Sequence, residues 1–490
     1  MTKDKVGKPS RRKFVKSSAG VLAAGAAGAA GAVLPSPALS QGAGAADADP
    51  ELSRVQNTRR ILLKGGIILT IDPQIGDFAS GDILIEDGKI REVRPNIAVS
   101  DEAAVVIDAG NRIVIPGFVD THSHSYQGLL RDTLPNGIVD PDYNRDIQNN
   151  ITFHYEPADA YAGMLSTMLA LLDMGTTTVV DLSQANLTPE HSDALIQALR
   201  DAGIRAVFGY SHSVGPRSQY PQDIERLRQA YFSSSDQLLT LALGVSLEPK
   251  MWEFARQHGV RAIVHIRLNS EPLLALGRAN LLRPGDEFIH CTHLSDAAWQ
   301  LMKDTGGRTS HSPVVEMAMA HGMPSIQDAL NHGMQPSLSC DHAATVGQDM
   351  FGMMRTSFDL QRLFILQRRR NGEQNTPPLL TCREVLEFAT INGARCADLD
   401  GKVGTLTPGK EADILLLRAD RINVWPLNNA PSAVVNIMNP SHVDTVFIRG
   451  KVKKWRGTLT GVDVARVLKL TAEARDAVLQ RSNFQVNLVG

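Results

Sequence analysis

The sequence predicts a (β/α)8 barrel joined to a small β domain assembled from both ends of the chain. Three observations carry this. Eight short apolar runs alternate with helical stretches across the middle of the 490 residues. Most of those runs end in His or Asp, as strands do when the C-terminal rim of a barrel bears the chemistry. Short strands separated by turn residues flank the array on both sides. Periodicity alone also permits an open, doubly wound sheet; the polar residues closing the strands favour the barrel.

Residues 1–40 read as a targeting segment. Ser10-Arg11-Arg12-Lys13-Phe14-Val15-Lys16 resembles a twin-arginine signal. An Ala/Gly-rich run from Ala19 to Leu34 follows, too short and too weakly apolar for a membrane span. Ala38-Leu39-Ser40 supplies small residues for cleavage. The order basic, apolar, small predicts recognition by the twin-arginine export machinery, a periplasmic or extracellular destination and no stable membrane anchor. That route carries proteins already folded, so an exported chain need not rely on disulfides.

Residues 59–115 form the first part of the predicted β-sandwich, with strands at 61–63, 66–70, 82–85 and 105–107 broken by Gly, Asp-Pro and Asp-Gly. The barrel is predicted over 116–397. Its strand runs end at His124, Asp181, Gly209, Leu243, His265, His290, His311 and Asp341. Helices are expected between them, for example at 158–174 and 192–202. Another is expected from Thr381 to Cys396, with Thr381 as N-cap and Glu384 completing a capping box. Residues 398–460 return to the β domain through 412–417 and 443–450, and 461–490 read as a helical tail.

Composition narrows the function. The net charge is −2 and aromatics make up 5%, which excludes a basic or base-stacking nucleic-acid surface. Four scattered cysteines without a CxxC pair indicate neither a zinc ribbon nor a disulfide scaffold.

The chemistry gathers at the strand ends. His122 and His124 are one residue apart at the end of an extended run, so both side chains face one way and can aim at one ion. His265 and Asp341 close later strands. Imidazoles with a carboxylate suit one divalent metal, Zn2+ first and Fe2+ second, with a position left open for water. His290 closes the sixth strand, and Gln127, His212, His311 and His342 stand near strand ends as candidate substrate contacts.

Pro116-Gly117-Phe118-Val119-Asp120-Thr121-His122-Ser123-His124 resembles the opening motif of the amidohydrolase superfamily. Phe288-Ile289-His290-Cys291-Thr292-His293-Leu294-Ser295-Asp296, His311-Ser312-Pro313, Ser339-Cys340-Asp341 and the stretch Gly404 to Ile414 are similar to its cytosine deaminase and chlorotriazine hydrolase branch. The resemblance implies a mononuclear metal site held by His122, His124, His265 and Asp341, with His290 and Asp341 catalytic. It also implies a small-molecule substrate and a homo-oligomer. The sequence departs from that branch at one position. Deaminases of the branch carry Glu three residues after the fifth-strand histidine, where this chain has Leu268. Loss of that proton donor costs ring deamination about 10²–10⁴ in rate. Amide, carbamate, urea and lactam bonds need it less, because their developing charge sits on the carbonyl oxygen. The expected activity is therefore hydrolysis of a non-peptide C–N bond. The alternatives are deamination of a purine, pyrimidine or triazine, with Glu271 or Glu316 replacing the acid, or a silent ligand-binding barrel.

Overall fold

A computed structural model describes residues 49–99, 104–212 and 218–489; the signal segment expected over 1–40 lies outside them. The chain begins the β domain with β1 (Arg60–Ile68), β2 (Phe78–Glu86), β3 (Lys89–Arg94), β4 (Val105–Asp108) and β5 (Arg112–Pro116). Asp87 and Gly88 turn β2 into β3 with φ of 50° and 79°, the backbone of a two-residue hairpin that Asp-Gly adopts readily.

The barrel strands follow as β6 (Phe118–Ser123), β7 (Thr176–Ser183), β8 (Arg205–Tyr210), β9 (Leu239–Gly244), β10 (Ala262–Arg267), β11 (Glu287–Thr292), β12 (Arg308–His311) and β13 (Pro336–Leu338). They pair in sequence order in one parallel eight-stranded sheet. Val119, Val180, Val207, Ala242, Ile263 and Ile289 pack together as an apolar layer. The ring is drawn shut where β6 meets the end of β13. There His124 N–H donates to the Asp341 carbonyl at 2.8 Å, and Asp341 N–H donates to the His122 carbonyl at 2.9 Å. The backbone seam of the barrel thus runs through the residues of the expected site.

Strands β14 (Ile414–Arg418), β15 (Val443–Ile448), β16 (Lys451–Trp455) and β17 (Thr458–Leu459) return to the β domain. β14 pairs antiparallel with β5, from Ile414 opposite Pro116 to Arg418 opposite Arg112, which joins the two ends of the chain in one nine-stranded mixed sheet. Gly117 bridges this sheet to the barrel, and a Cβ there would lie 2.0 Å from Thr177 Oγ1. Arg205 ties the domains together from the foot of β8. Fully buried, it binds both Asp413 oxygens, at 2.9 and 3.0 Å, and Glu411 at 2.6 Å.

The helix expected over 381–396 is two helices, Cys382–Phe388 and Ile391–Cys396. The Ala389 carbonyl between them accepts Val119 N–H at 2.9 Å, so the break satisfies the start of β6. The Thr381–Glu384 capping box is present. The tail forms the helix Val464–Arg481, which buries Val467, Ala474 and Val478. Among the described residues no helix is long and apolar enough to cross a membrane.

Candidate metal centre

The strand ends place His122, His124, His265, His290 and Asp341 around one point. The donor atoms of His122, His124 and His265 lie within 4.8 Å of one another, as do those of His122, His290 and Asp341; His122 belongs to both sets. His265 Nε2 is 3.2 Å from His122 Nε2. Asp341 Oδ1 is 3.3 Å from His122 Nε2 and 3.6 Å from His124 Nε2. Ligands 2.0–2.1 Å from a tetrahedral zinc stand about 3.3–3.4 Å apart, so these spacings suit donors converging on one small cation.

The protonation states fit the same role. Burial and neighbouring His122 push the His124 imidazole down to about 3. Burial, with His122 and His124 beside it, holds His265 well below its usual value. Burial alone raises Asp341, but His342, the contact with His122 and the nearby His290 outweigh it and hold the carboxyl well below the usual range. Neutral imidazoles therefore face an ionised carboxylate, the forms that ligate a metal. His124 Nδ1 is 3.0 Å from the Leu182 carbonyl. Donating a proton there fixes the tautomer and turns the Nε2 lone pair inward.

His290 stands beside this group, with Nε2 3.7 Å from Asp341 Oδ2. Behind it, Glu316 Oε1 is 3.2 Å from His290 Nδ1 and accepts Ser312 N–H at 2.8 Å. Glu316 is completely buried, and burial raises its pKa against the opposing pull of His290. Two carboxylates thus flank one imidazole. The backbone bends to achieve this, with φ of 69° at His290 and 60° at Asp341. Such left-handed conformations cost about 1–3 kcal/mol each and persist where the surroundings enforce them. The Ser325 hydroxyl donating to the His290 carbonyl at 2.9 Å is one such restraint, and the barrel seam is the other.

A cavity of about 400 Å³ opens onto these residues, a size that suits a small organic molecule. Of the candidate substrate contacts, His212 and His342 line it. Gln127 and His311 are not brought to its wall. Gln127 is buried behind Tyr143, donating to that phenol oxygen at 2.6 Å. His311 is buried with Nε2 3.1 Å from Thr309 Oγ1, and burial pushes its pKa down to about 3. Leu268 sits on the rim, 59% exposed. Glu271 pairs with Arg278 on the surface.

Several wall residues escaped the sequence reading: Tyr143, Gln148, Gln184, Arg267 and His321. The sequence suggests a surface or structural role for His321, yet its ring meets that of His290 edge-on at 4.5 Å. Glu316, a substitute ring acid on the sequence alone, lies behind His290 instead. Alternation along β10 could have revealed Arg267, two residues beyond His265. No periodic signal marks His321, which follows the short helix Pro313–Ala318 in a loop.

A closed parallel barrel carrying a buried His/Asp cluster suited to a divalent metal, beneath a small cavity, defines the class of barrel metallohydrolases. More particularly, the chain belongs to the amidohydrolase family, whose sequence model matches residues 113–453, and it is a hydrolase of carbon–nitrogen bonds. It is 26% identical over 457 residues to a 5'-deoxyadenosine deaminase of Methanosarcina mazei, covering 86% of this chain and 99% of the relative. A 5-methylthioadenosine/S-adenosylhomocysteine deaminase of Caldicellulosiruptor saccharolyticus is 25% identical over 442 residues, covering 84% and 96%. Among solved structures, a zinc-bound adenosine deaminase of Xanthomonas campestris superposes with a TM-score of 0.75 at 20% identity, covering 86% of this chain and 98% of that one. The zinc complex of an atrazine chlorohydrolase of Arthrobacter aurescens gives 0.76 at 20%, covering 85% and 100%. These two structural likenesses speak to the fold.

Proposed function

We propose that the protein hydrolyses a carbonyl C–N bond, of amide, carbamate, urea or lactam type, in a small molecule. The observation that carries this reading is the wall of the cavity: among the described residues Asp341 is its single carboxylate, and no second acid stands ready to protonate a ring nitrogen. His122, His124, His265 and Asp341 would hold one metal ion, zinc in preference to iron. Such an ion supplies a Lewis acid and brings the pKa of water down to about 7. Asp341, ionised, accepts the proton of the attacking water and passes it to the departing nitrogen. His290 donates from Nε2 to the carbonyl oxygen as negative charge develops there. Glu316 accepts from Nδ1 and holds the ring in that orientation. Residues 1–40 direct export by the twin-arginine route.

A second reading, deamination of an aminated heterocycle, is favoured by the activities named for the curated relatives above. A hydrolysis screen of the zinc-loaded protein separates the two. Amides, carbamates, ureas, lactams and aminated heterocycles are presented side by side, and ammonia and carboxylate release are followed separately. New carboxylate or carbamate supports the proposal. Ammonia released from rings alone overturns it in favour of deamination.

A further inference from the structure

The cavity wall holds one strongly basic side chain among the described residues, Arg267. It follows His265 by two positions on β10, and the intervening Ile266 packs into the outer apolar core. Alternation therefore turns His265 and Arg267 to the same side, towards the cavity. The guanidinium is close to uncompensated. Among the described residues its one ion contact is Asp140 Oδ2 at 3.6 Å, beyond hydrogen-bond reach, and the Asp140 side chain is 65% exposed. The Arg267 side chain is only 26% exposed. A partly dehydrated fork of five donors without a close acceptor is costly until a ligand supplies one.

The neighbouring wall is built to complement such a ligand. Gln148 donates to Gln184 Oε1 at 2.7 Å, and Gln184, which lines the cavity, keeps its NH2 as a further donor. Asn149 lines the same wall. A planar carboxylate matches the guanidinium fork with two parallel hydrogen bonds and leaves lone pairs for the amides. A neutral heterocycle would leave the arginine unpaired, and a cationic substrate would be repelled.

We propose that Arg267 receives a carboxylate of the substrate, so that the compounds hydrolysed are small amides, carbamates or ureas bearing a free carboxylate a few bonds from the scissile carbonyl. This rests on the metal-hydrolase reading of the site, and the test separates the two. The protein is loaded with Co2+ and titrated, by visible absorption, with acetohydroxamate and with the monohydroxamates of malonic, succinic and glutaric acids. The hydroxamate engages the metal, and the tail carboxylate probes for a cation at increasing reach. At least one acid-tailed probe is expected to bind about tenfold or more tighter than acetohydroxamate, the scale of one charge-assisted hydrogen bond. In Arg267→Gln that ratio falls to about one, and Arg267→Lys, which keeps charge but loses the fork, falls between. Equal binding of all four probes, or a preference that survives in Arg267→Gln, overturns the carboxylate proposal and leaves the metal reading standing. A cobalt spectrum indifferent to every hydroxamate overturns the metal reading itself.

Discussion

Replacing Glu316 by Gln should slow turnover without loosening the metal. The carboxylate accepts two protein N–H groups, Ser312 N at 2.8 Å and, when that nitrogen is protonated, His290 Nδ1 at 3.2 Å. Gln has the same shape and can still accept from Ser312, so the fold survives. What is lost is the charge behind His290 as its other nitrogen donates to the developing oxyanion. A hydrogen bond to a charged partner contributes about 1.5–3 kcal/mol, and the 3.2 Å contact belongs at the weaker end. At about 1.4 kcal/mol per tenfold, the expected loss in kcat is about 10- to 30-fold. KM should hold, because Glu316 does not line the cavity. Zinc content should hold too, because Glu316 is not among the residues converging on the metal point. Steady-state kinetics on the best substrate from the hydrolysis screen, with metal analysis of the same sample, measures all three. An unchanged kcat, or loss of zinc, would overturn this role for Glu316.

Three further outcomes follow from the same geometry, and a fourth from the sequence of the export segment. His290→Ala should keep its metal and lose about 10²–10³ in kcat, as removal of one oxyanion donor does; loss of metal would reassign the residue as a ligand. Arg205→Met should cost about 3–5 kcal/mol in urea unfolding, because it leaves Asp413 and Glu411 without their buried partner; a loss under 1 kcal/mol would contradict that. Burial holds the Glu287 carboxyl up to about 7, against 4.5 when unfolded, despite Arg261 at 3.0 Å. The folded state then keeps a proton that the unfolded chain has released, so stability falls as pH rises from 4.5 to 7. Glu287→Gln should remove up to about 3 kcal/mol of that decline, and an identical pH dependence in the variant would refute it. Finally, Arg11→Lys with Arg12→Lys should retain the precursor in the cytoplasm, read by cell fractionation; undiminished export would exclude the twin-arginine route.

Where a function follows regular geometry, the sequence displays it. β6 to β13 could be read because they are short runs alternating with helical stretches, most of them closed by His or Asp. His122 and His124 could be read because alternate residues of an extended chain share a face. The same rule applied to β10 reaches Arg267, two residues beyond His265. What could not be read depends on departures from regular structure or on distant partners. The left-handed backbone at His290 and Asp341 is imposed by hydrogen bonds across the barrel seam and from Ser325. Glu316 reaches His290 from the following βα unit, 26 residues away. Gln127 has the right spacing from His124, yet Tyr143 stands between it and the cavity, and that phenol arrives from the π-helical segment Val139–Gln148. The helix break at Ala389 serves the backbone of another element.

The most direct check on the metal centre is the zinc content of the purified protein and five single alanine variants, measured by mass spectrometry after equal exposure to the metal. One zinc per chain is expected in the wild type and in His290→Ala, with strong depletion in His122→Ala, His124→Ala, His265→Ala and Asp341→Ala. Full zinc retention in those four variants, or a wild type that takes up none, would contradict the account of how this barrel activates water.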